Sequence, residues 1–310
     1  APDGRRGAAT PRSGRTGRIA APVRDATFSV STFLFHRNRL DREHLVDIAA
    51  HGFGGVELFA LPSHFDCASA PAVEQLREWL DDTRLTLVSV HAPIADGVAE
   101  AGRDRPCSIA SLDTGVRERA VGMALDALAM ADALRYQYLV LRMGTIDRDA
   151  SARDNDAAAA RHSLDVLVPR AEACGVQLAL ELLPNQLSTP EALVTLVEEV
   201  LPPRGAGVCI DTGHARLLGD PVDAIETASG HILTAHVHDT HGARIEHLVP
   251  FEGSIDWTRT LLAFQKVGFQ GPWTFELAPT ATPVATLAAA AHARARFEQR
   301  LGINDELLSQ

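Results

Sequence analysis

The chain has 310 residues, 46% of them hydrophobic, and a formal net charge of −11. That length suits one large α/β barrel or two small domains, and the acidic balance argues against nucleic acid as a partner, because phosphate neutralisation needs clustered Lys and Arg. No apolar run approaches the length of a membrane span, so no membrane association is expected.

Residues 1–25 hold six arginines and two acids, lack an apolar pattern and contain no h-region of a secretory signal. They read as a disordered N-terminal tail, with residues 26–310 forming a single domain. From there strand-like and helix-like segments alternate. Thr27–Thr32 reads as a strand, and Asp41–His51 as a helix capped by Asp41. Gly55–Phe59 is the second strand, and Ala72–Asp82 a helix with Val73, Leu76 and Leu80 on one face. Leu85–Val90 is the third strand, Thr114–Leu134 a long helix, and Tyr138–Leu141 the fourth strand. The helix Asp156–Cys174 stops at Gly175. Val176–Leu180 is the fifth strand, and the helix Thr189–Val200 starts at Ser188 or Thr189 with Pro190. Gly207–Ile210, Ile232–Val237 and Trp273–Leu277 are the last three strands, alternating with helices Pro221–Ala228, Asp256–Val267 and Thr282–Leu301.

Eight short apolar strands, each followed by a helix, predict a (β/α)8 TIM barrel. An open doubly wound sheet is the alternative, weakened because no G-x-G-x-x-G follows the first strand. In a barrel the active site lies at the C-terminal strand ends. There the chain places Glu181, Asp211, His236 and Glu276 after four successive strands. A lone carboxylate closing a buried strand is costly unless compensated, and one shared divalent cation compensates all of these at once. The same rim carries Glu57, His91, Arg142, His214, His238, Asp239, Arg244 and His247. Glu57 reads as a buried structural acid paired with an arginine. Phe33, Phe35, Phe59 and Phe65 are candidates for an apolar wall. The four scattered cysteines form no C-x-x-C pair and read as reduced packing residues of a cytoplasmic protein. Lys266 is the only lysine and sits near a helix end, a poor place for a Schiff base.

Five segments, Leu180-Glu-Leu-Leu-Pro-Asn185, Ile210-Asp-Thr-Gly-His214, Ala235-His-Val-His-Asp239, Glu252-Gly-Ser-Ile-Asp-Trp257 and Thr274-Phe-Glu-Leu277, resemble the xylose isomerase-like barrel superfamily of sugar isomerases, epimerases and endonuclease IV. The resemblance covers roughly residues 27–300. It implies one divalent metal, manganese first, with cobalt, magnesium or zinc as alternatives. Its ligands would be Glu181, Asp211, His236 and Glu276. His236 is preferred over His238 because it stands in the family's H-x-x-D pattern with Asp239. The resemblance further implies a sugar or polyol isomerase or epimerase, with Glu181 and Glu276 moving protons through a metal-bound enediolate. His214, His91, Arg142 and Arg244 are the candidate substrate-binding residues. A small-molecule sugar substrate is expected, with homo-oligomers common in the group. The alternatives are a lyase of the inosose dehydratase type, a sugar-binding barrel without turnover, and a nuclease of the endonuclease IV kind. Leu187 stands where ketohexose 3-epimerases carry a further glutamate, which counts against that particular reaction. Arg142 and Ile245 stand where the three-metal nuclease set needs ligands, which counts against the nuclease.

Overall fold

A computed structural model describes residues 27–100, 103–146 and 152–302. The N-terminal tail expected over 1–25 lies outside the described residues. In chain order the strands are β1 (Phe28–Ser31), β2 (Gly55–Phe59), β3 (Thr86–His91), β4 (Ala95–Glu100), β5 (Arg103–Pro106), β6 (Tyr138–Leu141), β7 (Gln177–Glu181), β8 (Ala206–Asp211), β9 (Ile232–Val237) and β10 (Trp273–Phe275). Eight of them close into a parallel barrel in the ring order β1-β10-β9-β8-β7-β6-β3-β2. The α-helices are α1 (Arg42–Ala50), α2 (Ala70–Thr83), α3 (Thr114–Ala129), α4 (Ala157–Cys174), α5 (Pro190–Thr195), α6 (Thr212–Leu218), α7 (Pro221–Thr227), α8 (Trp257–Lys266) and α9 (Pro283–Leu301). The result is the expected single-domain (β/α)8 barrel. No described helix is long and apolar enough to cross a membrane.

Side-chain parity explains the strands. Val56 and Leu58 of β2, Leu178 and Leu180 of β7, and Val208 and Ile210 of β8 face outward into one large core under the helices. The alternate residues Val140, Ala179 and Cys209 form a small separate cluster in the lumen. Small luminal residues here leave room for larger polar ones one step further along each strand, at Arg142, Glu181 and Asp211. The helix starts follow their capping chemistry. Asp41 forms a reciprocal capping box with His44 over α1, and Asp156 and Asp256 accept main-chain N–H groups at the starts of α4 and α8. Gly175 ends α4 in a left-handed conformation, φ 72°.

Three features depart from the sequence reading. β4 and β5 form an antiparallel pair outside the barrel, inserted between β3 and α3. The helix after β6 was bounded correctly at Cys174, but α3 ends at Ala129 and gives way to a 3-10 turn over Met130–Asp132. A short helix, α6, begins directly after Asp211, where the sequence reading had only a motif.

Candidate metal centre

Register places the four strand-end residues together. Asp211 of β8 pairs with His236 of β9, His236 pairs with Thr274 of β10, and Glu276 follows two residues on. Glu181 lies beside Cys209. One donor atom each from Glu181, Asp211, His236 and Glu276 lie within 4.8 Å of one another, and all four residues are fully buried. His236 Nδ1 is 3.2 Å from Glu276 Oε2 and 3.5 Å from Glu181 Oε1. Neither carboxylate oxygen of Glu276 has a hydrogen-bond partner, and neither does His236 Nδ1. Buried polar atoms left unpaired cost about 1–3 kcal/mol each, more when charged. A divalent cation satisfies all of them, and three carboxylates with one imidazole suit manganese, magnesium, cobalt or zinc. The residues fit the group.

Three of these four side chains have a hydrogen-bonding partner of their own outside the set, and Glu276 does not. Glu57, on β2, accepts from Ser89 Oγ at 2.8 Å and from His236 Nε2 at 3.0 Å across the lumen. This corrects the expected arginine partner of Glu57. That acceptor favours a proton on Nε2, so Nδ1, the nitrogen facing Glu181 and Glu276, is the one that would offer a lone pair to a cation. Arg142 donates instead to Glu181, with Nε at 2.5 Å and Nη2 at 3.2 Å. His91 Nε2 lies 3.3 Å from the same carboxylate, and His91 Nδ1 lies 2.8 Å from the Ala92 carbonyl. Asp211 accepts the main-chain N–H of His214 at 2.7 Å, capping α6. His238 Nε2 lies 2.9 Å from its Oδ1. His214 Nδ1 is 2.9 Å from the Leu182 carbonyl, and its Nε2 is buried without a partner.

Burial by itself would raise the carboxyl pKa values, but the basic neighbours win. Arg142, with His236 and His91, holds Glu181 well below the usual carboxylate range. His214 and His238 take Asp211 to about 2. His236 holds Glu276 well below the usual range. All three are ionised at neutral pH, as cation ligands must be. Burial pushes His247 down to about 3, keeping it neutral, with His238 adding to the effect.

The structure does not bring every rim residue to this cup. Arg244 is 77% exposed and pairs with Glu246, away from the four ligands. Phe35 and Phe65 are buried in the outer core. Phe33 and Phe59 remain at the mouth, in ring contact with His247 and His91 respectively. Glu57 and His238 were read from the sequence as rim residues, and the structure makes them the partners of His236 and Asp211. Glu57 lies in the middle of its strand, where an ionisable luminal residue has a partner across the barrel.

The Glu57 contact carries a prediction. Glu57→Ala should weaken divalent-cation affinity by about 10- to 100-fold, the usual effect of losing such an orienting acceptor. Glu57→Gln, which retains an acceptor oxygen, should fall between. Competition titration against a chelating dye measures both, and unchanged affinity in both variants would mean that His236 needs no such orientation.

A closed (β/α)8 barrel with a carboxylate–imidazole cup at its C-terminal mouth is the class that fold and site define. The chain belongs to the xylose isomerase-like TIM barrel family, whose model matches residues 45–297. It is 28% identical over 266 residues to an uncharacterized protein of Methanocaldococcus jannaschii, covering 82% of this chain and 84% of that one. It is similar to the crystal structure of a D-tagatose 3-epimerase-like protein, with a TM-score of 0.73 and 25% identity over 91% of this chain and 99% of that one. L-ribulose 3-epimerase shares the fold, with a TM-score of 0.69 and 21% identity over 92% and 98% of the two chains.

Proposed function

We infer that this chain is a divalent-metal-dependent isomerase or epimerase of a sugar or polyol, with Glu181 and Glu276 as its proton-transfer residues. The observation that carries the reading is the pairing of two buried, ionised carboxylates on strands three apart in the ring, both within 3.5 Å of His236 Nδ1. The kinds of protein to which it is similar, D-tagatose 3-epimerase-like and L-ribulose 3-epimerase, point to the same substrate class.

Glu181, Asp211, His236 and Glu276 would hold the metal. When bound, the cation supplies Lewis acidity that acidifies a C–H lying between a carbonyl and a hydroxyl of the substrate. The two carboxylates are not equivalent. Glu181 carries the Arg142 guanidinium, which favours its charged form and lowers its proton affinity. Glu276 accepts no hydrogen bond, so it is the one freer to take the proton. Abstraction by Glu276 leaves an enediolate. Glu181 is itself ionised, so it would first take up a proton from solvent; passing that proton to the opposite face inverts the carbon, while return by Glu276 of the abstracted proton to the neighbouring carbon shifts the carbonyl. His214 has its proton on Nδ1, toward the Leu182 carbonyl, so its buried Nε2 is an acceptor for a substrate hydroxyl.

The test is hydrogen exchange. Metal-reconstituted protein incubated with a panel of ketoses, aldoses and inososes in deuterated water should wash deuterium into the carbon beside the carbonyl, read by proton NMR. Conserved product mass identifies isomerisation, and loss of water would redirect the assignment to a lyase. No exchange across the panel by the loaded protein would overturn the reading. His214→Ala should raise KM while leaving metal content unchanged. Metal loss in that variant would mean that His214 is itself a ligand.

A further inference from the structure

Asn185 is buried in the loop after β7, and neither the metal centre nor the proposed proton transfer uses it. Its side-chain amide is engaged at both ends. Nδ2 donates to the main-chain carbonyls of Met143, at 3.1 Å, and Thr145, at 3.0 Å. Oδ1 accepts the main-chain N–H of Leu187 at 2.9 Å. Ser188 Oγ, from the same loop, donates to the Met143 carbonyl at 3.2 Å. Two side chains of the loop after β7 thus fasten the loop after β6.

The fastening begins where the sheet stops. Register pairing between β6 and β7 ends at Leu141 and Leu180, so Arg142 and Met143 lie past the last paired position. On the other side of the same loop, Asn155 Oδ1 accepts the Thr145 N–H at 2.7 Å. Between these ties Gly144 turns with φ 88°, and a Cβ there would overlap Asn155 Oδ1. Arg142 directly precedes Met143, and its guanidinium grips Glu181 through Nε and Nη2. The contacts close a circuit. It runs from Glu181 along its own loop to Asn185, across to Met143, and back through Arg142 to the Glu181 carboxylate. A guanidinium fork fixes the plane of a carboxylate only if the main chain that carries it is itself fixed.

We propose that Asn185 is a positioning residue for Arg142. By holding the Met143 and Thr145 carbonyls it sets where the guanidinium meets Glu181, and so how that carboxylate is turned within the cup. The effect on the reaction rests on the function proposed above, whereas the hold on Arg142 does not.

The experiment uses full-length, 15N-labelled protein and has two readouts. The first is the Arg142 Nε–H signal in the NMR spectrum, identified by its disappearance in Arg142→Ala. In the wild type this proton is bound to a buried carboxylate and should exchange slowly with solvent. Asn185→Ala should lose the signal to exchange. Ser188→Ala, which removes one donor from the Met143 carbonyl and leaves Asn185 in place, should shift the signal without abolishing it. Circular dichroism shows that the variants fold. The second readout is deuterium exchange into substrate, in a cycle with Arg142→Ala. Asn185→Ala should cut kcat by about 10- to 100-fold in the native background and add no further loss in the Arg142→Ala background. A general loosening of the fold would reduce both backgrounds alike. Equal losses in the two backgrounds would therefore overturn the proposal, as would an Arg142 signal unchanged in both Asn185→Ala and Ser188→Ala. Loss of the signal in a chain that exchanges no sugar proton would keep the hold on Arg142 and remove the assigned reaction.

Discussion

Glu276→Gln should cut substrate C–H exchange by about a thousand-fold or more and weaken divalent-cation binding at the same time. General-base catalysis contributes roughly 10²–10⁴-fold, and the ligand contribution comes on top of it. The substitution preserves shape, so the effect isolates charge. Glu276 stands at the end of β10, 1% exposed, with Oε2 3.2 Å from His236 Nδ1. An amide there is a weak ligand and cannot take a proton from carbon at neutral pH. The measurement is a pair of numbers from one preparation: metal per chain by elemental analysis and exchange rate by NMR. Wild-type exchange in the variant would sink the assignment of Glu276. Metal loss with exchange restored by excess cation would leave it as a ligand only.

Asp239→Ala destabilises the fold by about 4 kcal/mol or more, the largest stability effect expected outside the hydrophobic core. Asp239 is fully buried and accepts four hydrogen bonds. Its Oδ1 takes the main-chain N–H of Thr240 at 2.8 Å and of Ile255 at 3.1 Å. Its Oδ2 takes the N–H of Phe251 at 2.9 Å and the indole N–H of Trp257 at 2.8 Å. Truncation leaves four donors without this acceptor, at about 1–3 kcal/mol for each one left unpaired. Gly253 shows how closely the loop closes on this carboxylate, since a Cβ there would stand 2.3 Å from Asp239 Oδ1. The main chain of Asp239 also bridges to Leu248, with N–H···O distances of 2.8 and 2.9 Å in the two directions, next to His247. The variant should therefore loosen His247 as well as lower the unfolding midpoint in urea. A change under about 0.5 kcal/mol, the range of an ordinary surface substitution, would show that water replaces the carboxylate at no cost.

Asp239 illustrates how a residue can be legible in position and not in role. In the sequence it marked the register of the H-x-x-D pattern and helped select His236 over His238. The structure makes it the anchor of the loop that returns to α8. Asp256 caps α8, and the indole N–H of the next residue, Trp257, secures that anchor. The β4–β5 pair went unread because Ala95–Glu100 has no sustained apolar alternation to mark a strand.

Period-two apolarity, helix caps and strand-end polar residues were sufficient for the barrel and for placing the candidates on one rim, while the choice of His236 over His238 came from the resemblance. Parity within a strand dictates which side chains enter the lumen, and the alternation of strand and helix dictates which strand ends share a rim. Both are local properties. Partner choice is not. Glu57 meets His236 from 179 positions away, across the lumen. Arg142 takes Glu181 rather than Glu57, His238 takes Asp211, and Arg244 remains in solvent. Those pairings arise only when the ring closes and sets the height of each strand end. The direction of every lone pair in the cup depends on that closure, and no short-range pattern in the chain encodes it.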